Sequence, residues 1–210
     1  MAGLRLPASV ADAALRADLR AASAPTMPAL RRYAGVLYQA LDVASLPPGA
    51  ARRVEAAVIV ASGLWGAVRG VDLVPDYRVP AAGRVPGLGG VGAHWREPLA
   101  ALMPSLVGEQ AVLDLRSTDY LAMWRPGPQL RGRVLQVRVL ADAGTGREPS
   151  GVSYHAKRVK GLLVRQLALL RRWPADPWAA VSGAATALDL TVLDSSTPEV
   201  CRVDLVGRYP

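Results

Sequence analysis

Hydrophobic and polar positions alternate with two periods along this chain, and the two periods divide it into helices and strands. Residues 8–22 read as an Ala-rich helix capped near Ser9, and a Pro-broken loop at Pro25 and Pro28 follows. Leu30–Val43 reads as a loop leading into a short helix, and a second short helix is expected near 49–54 after Pro47-Pro48. Val54–Ala61 is a continuous apolar run that length and β-branching assign to a buried strand. Ala111–Leu115 reads as another strand, with a helix at His94–Leu106 between them, the spacing of a strand–helix–strand unit. Arg133–Leu140 alternates Arg133, Gln136 and Arg138 with aliphatic residues and reads as a strand with one wetter face. The remaining pattern gives a helix at 176–187 and strands at 188–193 and 200–206. The fold class is therefore α/β: one compact domain over 1–210, a mixed sheet with helices on both faces, and a helical segment at 1–29.

The segment 153–172 has the strongest pattern. At 100° per residue its six cations, Lys157, Arg158, Lys160, Arg165, Arg171 and Arg172, share an arc of roughly 160°, with leucines and Val159 opposite. Gly161 and Ala168 lie inside the cationic arc, where they would let the backbone approach a phosphate-bearing partner closely.

Composition sharpens this reading. Net charge is +8, and residues 120–175 hold 11 Lys/Arg against two acids, Asp142 and Glu148. The other 14 Lys/Arg face 15 acids, so the positive excess is confined to one segment. That points to an anionic partner such as nucleic acid, a phosphorylated ligand or a membrane surface, and double-stranded DNA bound without sequence preference is the leading expectation. Lys157, Arg158, Lys160, Gly161, Arg165 and Arg172 would supply the contact, with Arg131, Arg133 and Arg138 from the preceding strand region. The chain uses Arg for almost all its positive charge; its two lysines are Lys157 and Lys160.

With one cysteine, Cys201, and two histidines, His94 and His155, neither a disulfide framework nor a structural zinc site is expected. No cofactor and no metal are expected. The N-terminal residues carry no uninterrupted apolar stretch, and Ala56–Val68 is too short to span a bilayer, so a cytoplasmic monomer with no membrane partner is expected.

Other motifs leave alternatives open. Gly87-Leu88-Gly89-Gly90-Val91-Gly92 spells G-x-G-x-x-G, but no clean strand precedes it. It reads as a backbone turn for phosphate, like the turn of helix-hairpin-helix modules, or as a flexible connector. Ser62-Gly63 and Ser117 each follow a strand expected to be parallel, where α/β sheets form crevices. Neither serine has a convincing triad around it, so catalytic residues are not assigned. Arg78 beside Tyr77 is either an anion clamp or the partner of Asp72 or Asp76.

Taken together, these blocks resemble the YaaA family of bacterial peroxide-stress proteins. The residues are Gly35-Val36-Leu37-Tyr38, Ser62-Gly63-Leu64-Trp65-Gly66, Asp72-Leu73, Pro75, Tyr77-Arg78 and Trp95, in that order. Leu115, Ser117, Asp119-Tyr120, Tyr154, Ala156-Lys157, Lys160-Gly161-Leu162 and Arg165 continue the series, so the resemblance is clearest over 30–210. It implies an α/β fold, a role in limiting damage by hydrogen peroxide, and a basic cleft that takes nucleic acid. The cleft would include Ser62, Gly63, Tyr77, Arg78, Ser117 and Tyr120. The resemblance also implies that a strand and a polar loop would precede residue 1, so that the chain is either an N-terminally truncated member or one whose start codon is misassigned. The rival expectation is an enzyme or binding protein for a phosphorylated or carboxylated small molecule. It would use Ser62, Arg78, Ser117, Tyr120 and Lys157 in that cleft.

Overall fold

A computed structural model describes residues 8–130, 132–141 and 152–207. The chain runs α1 (Ala8–Arg20), β1 (Met27–Pro28), α2 (Ala29–Arg32), α3 (Val36–Leu41), α4 (Pro48–Ala57), β2 (Ile59–Ser62) and β3 (Gly66–Arg69). Next come β4 (Leu73–Val74), β5 (Arg84–Val85), β6 (Gly89–Gly90), α5 (Val91–His94), α6 (Arg96–Val107), β7 (Val112–Asp114) and α7 (Thr118–Leu121). The last elements are β8 (Val134–Ala141), α8 (Val152–Leu169), α9 (Pro177–Thr186), β9 (Thr191–Asp194) and β10 (Cys201–Gly207). The architecture is mixed α/β, in two compact units. One gathers Met1–Tyr33, Val54–Leu106 and Arg116–Gly127; the other gathers Ala34–Arg53, Val107–Leu115 and Pro128–Pro210.

The second unit holds a four-stranded sheet of order β7-β8-β10-β9. β8 pairs in parallel with β7 and β10, and β9 closes the other edge antiparallel to β10. The period-two pattern of β8 decides what each sheet face meets. Leu135, Val137 and Val139, with Val203 and Leu205 of β10, form a buried apolar face. Val159 and Leu163 of α8 and Val181, Ala184 and Ala185 of α9 pack onto it. The opposite face is the wetter one the alternation predicts. There Arg202 Nε donates to Gln136 Oε1 at 2.7 Å, and Arg138 Nε donates to Asp204 Oδ1 at 2.7 Å. α9 starts where its residues dictate: Asp176 accepts from the backbone N–H groups of Trp178 and Ala179, and Pro177 takes the first helical position.

The first unit is built on short hairpins. β2 pairs antiparallel with β3 through the turn Gly63-Leu64-Trp65, β1 with β4, and β5 with β6. Three sequence expectations change here. The apolar run at 54–61 is helical to Ala57, since Ala50, Ala51 and Val54 bury one helical face and alanine favours helix. The strand begins only at the β-branched pair Ile59-Val60. Moreover β2 and β7 belong to different sheets, so the expected strand–helix–strand unit does not form. Ser62 and Ser117 therefore do not follow two parallel strands of one sheet. The glycine-rich stretch is neither a helix-hairpin-helix turn nor an unstructured connector. Arg84-Val85 and Gly89-Gly90 pair as a β-hairpin, with Gly87 and Gly89 at φ of 79° and 85°.

Candidate nucleic-acid interface and tyrosine-serine cluster

α8 brings the predicted cations onto one helix but gives them different environments. Lys157 and Arg158 are exposed, and Arg171 and Arg172 are exposed just beyond its last turn. Among the described residues none of these four makes an ion pair or a hydrogen bond through its side chain.

Lys160, Gly161 and Arg165 are turned inward instead. Lys160 is buried and donates to the carbonyl of Leu115 at 3.0 Å. Burial pushes its ammonium pKa down from 10.5 to about 8, with the carboxylate of Asp114 opposing that shift. Gly161 packs against α3, where an added methyl would overlap the carbonyl of Leu37 and lie 2.7 Å from Ala40 Cβ. The close approach expected at Gly161 is thus made by α3. Arg165 Nη1 donates to the carbonyls of Leu41 and Asp42, at 2.9 and 3.0 Å, where α3 ends. These are the carbonyls that a helix end leaves without intrahelical donors. Arg53 treats the end of α8 in the same way, donating to the carbonyls of Ala168 and Leu170 at 3.1 and 2.9 Å.

The strand arginines do not extend the α8 surface. Arg138 lies on the sheet face opposite α8, forked onto Asp204. That pairing holds the Asp204 carboxyl below the usual range and raises Arg138 further. Arg133 donates to the carbonyls of Gly108 and Gln129. Arg131 lies outside the described residues, as does the expected turn at 143–146.

Four of the six predicted cleft residues gather in the first unit around the loop 77–81. Ser62 is fully buried; its Oγ accepts from the Trp65 N–H at 2.9 Å and shares a 2.5 Å hydrogen bond with Tyr77 Oη. Tyr77 Oη also hydrogen-bonds Tyr33 Oη, with the two rings edge-on at 6.2 Å. Gly63 lies against the backbone of Val79 with no room for a side chain, and its carbonyl accepts from Trp95 Nε1 at 2.8 Å. Tyr120 is hydrogen-bonded to the backbone of Ala81. Burial is the main cause that raises the pKa of both Tyr77 and Tyr120, with a neighbouring tyrosine adding to it in each case. Tyr77 therefore holds its proton at neutral pH and is no base for Ser62.

The other two cleft residues stand apart from this cluster. Arg78 is exposed, and its backbone N–H donates to Asp18 Oδ1 at 2.7 Å. Among the described residues its guanidinium pairs with neither Asp72 nor Asp76. Ser117 is exposed at the start of α7 and makes no side-chain cap. An open depression of about 460 Å³ in the same unit lies between Ala21, Thr26, Trp65, Asp72 and Pro75, and none of the six predicted residues lines it. Among the described residues no three His, Cys, Asp or Glu side chains gather as metal ligands.

Sequence reasoning missed Tyr33, Asp114, Asp204 and Arg53. Asp204 was recoverable in principle, as an acid on a strand pairing in register with Arg138. Tyr33 is brought to Tyr77 across 44 residues and left no local signal.

Among the described residues no helix is long and apolar enough to cross a membrane. Residues 7–172 match the family described as Peroxide stress protein YaaA. A UPF0246 protein of Streptomyces coelicolor is 45% identical over 155 residues, 74% of this chain and 58% of that protein. The chain thus spans less than two thirds of that relative's length. UPF0246 proteins of Corynebacterium efficiens and Methylibium petroleiphilum are each 35% identical. Those alignments cover 89% and 91% of this chain, and 70% and 73% of the relatives. With its family blocks present in order and most of its length matched, the chain belongs to the YaaA family of peroxide stress proteins.

Proposed function

We propose that this protein serves the response to hydrogen peroxide in the cytoplasm by binding nucleic acid without sequence preference, through the exposed cations of α8 and the residues that follow it. One observation carries the reading. Lys157, Arg158, Arg171 and Arg172 are exposed, and residues 152–175 contain no acid to neutralise them. Such cations contact phosphates and displace counterions, which gives affinity but no base readout. Lys160, Gly161 and Arg165 support the surface from beneath by fixing α8 to its neighbours. Arg133 and Arg138 are spent on other contacts, so about four phosphates are engaged rather than a larger number.

The test is the salt dependence of affinity for a short duplex of arbitrary sequence. Four phosphate contacts give a log–log slope of roughly −3 to −4. Undetectable binding at low salt, or affinity insensitive to salt, would overturn the proposal. A small anionic ligand held by Ser62 and Tyr77 is the weaker reading, because those hydroxyls already satisfy each other. A thermal shift produced by phosphorylated metabolites and abolished by Tyr77→Phe would revive it.

A further inference from the structure

Two large aromatic side chains flank the exposed cations, and both stay open to solvent. Tyr154 is 54% exposed and Trp173 is 40% exposed. Tyr154 precedes Lys157 and Arg158 by three and four residues on α8, which places it beside them on the helix surface. Trp173 directly follows Arg171 and Arg172. Its indole is oriented by one edge: Nε1 donates to the carbonyl of Leu167 at 2.7 Å, at the last turn of α8. The Tyr154 ring meets His155 at 88°, centroids 5.7 Å apart, an edge-to-face contact rather than a parallel stack.

Cations alone do not distinguish duplex from single strand, since both offer phosphates. Exposed aromatic faces next to cations do, because duplex bases are already stacked on one another and only unpaired bases can stack on protein. From Tyr154 to Leu167 α8 rises about 20 Å, at 1.5 Å per residue. That suits the strands of about 4–16 nucleotides held by such platforms.

Resting on the proposed nucleic-acid binding, we propose that the exposed cations and aromatics of α8 and of the residues that follow it prefer single strands to duplex. Bases stack on Tyr154 and Trp173, and phosphates lie on Lys157, Arg158, Arg171 and Arg172. Unpaired or gapped segments would then be its sites on DNA.

The full chain is titrated with an oligothymidine of about 12 nucleotides and with a duplex of equal length, in the same low-salt buffer. The single strand binds more tightly. Tyr154→Ala and Trp173→Ala each weaken single-strand binding by roughly 5- to 150-fold while changing duplex affinity less than about two-fold. Tyr154→Phe and Trp173→Phe, which keep an aromatic face, restore most of the loss. The Phe variant at 173 also lacks the Leu167 hydrogen bond, so it separates stacking from helix capping. Salt-sensitive duplex binding that equals or exceeds single-strand binding, with no effect of the Ala variants, would overturn this preference and leave the proposed function standing. Binding of neither probe at low salt would overturn both.

Discussion

Gly161 of α8 presses against the carbonyl of Leu37 in α3, so closely that any side chain would collide with backbone. One turn later Arg165 reaches the last carbonyls of α3. Asp42, which follows that helix, takes a left-handed conformation with φ of 46°. The middle of the cationic arc is therefore a helix–helix contact. Gly161→Ala forces the helices apart and costs at least about 1–3 kcal/mol, read as a lower urea midpoint. Unchanged stability would mean that α3 and α8 do not meet there.

Ser62, Tyr77 and Tyr33 form one hydrogen-bonded chain, and cutting it at any link removes a bond between partly buried hydroxyls. Ser62→Ala and Tyr77→Phe should each cost about 1–3 kcal/mol. The double variant should cost less than the two together, because both remove the same bond. Strict additivity in chemical denaturation would show that the two side chains act independently.

Lys160 makes stability depend on pH with a definite sign. Its folded pKa is about 8, below the ordinary 10.5, so between these values the unfolded chain binds more protons than the folded one. Its contribution therefore makes stability rise with pH, by about 2 kcal/mol from pH 8 to 10. Lys160→Met should flatten that rise. Tyr77 and Tyr120 act oppositely at higher pH: their folded pKa values are raised, so stability falls as the unfolded phenols ionise near pH 10. Urea midpoints across pH 7–11 read both effects. A fall between pH 8 and 10 that Lys160→Met abolishes would reverse the assignment.

Asp204 is buried, and Arg138 is its charged partner on the open sheet face. Arg138→Ala should cost about 1–2 kcal/mol at pH 7, less than a fully buried pair because half of the arginine meets water. The depressed carboxyl adds stability above the ordinary carboxylate pKa and loses it as pH falls through the folded value. The difference between wild type and variant should therefore shrink in acid. A gap that stays constant from pH 7 down to the acid transition would contradict the pairing.

Much of the second unit was legible because its signals are local. β8, α9 and β10 lie within a residue or two of their expected positions, since period-two alternation and an Asp-Pro start are written in adjacent residues. The end of α4 was misread for the same reason: apolar content is visible locally, but alanine serves helix and buried strand alike. Which cations of α8 meet solvent was not legible, because a helical wheel gives angles and not neighbours. Gly161 and Ala168 in the arc were the available hint. Small residues let a backbone come close, and at Gly161 that backbone is α3 rather than a ligand. The Ser62–Tyr77 bond joins residues of two recognised blocks, whereas Tyr33 and Asp114 carry no pattern that sets them apart before the chain folds.

The most direct measurement is the salt slope of nucleic-acid affinity in Lys157→Gln/Arg158→Gln, set beside Arg138→Gln, with folding of each checked by circular dichroism. Loss of two phosphate contacts makes the slope shallower by about 2 in the first variant, while Arg138→Gln keeps the wild-type slope. An unchanged slope in the α8 variant, or a slope lost with Arg138, would contradict the assignment of binding to the exposed cations of α8.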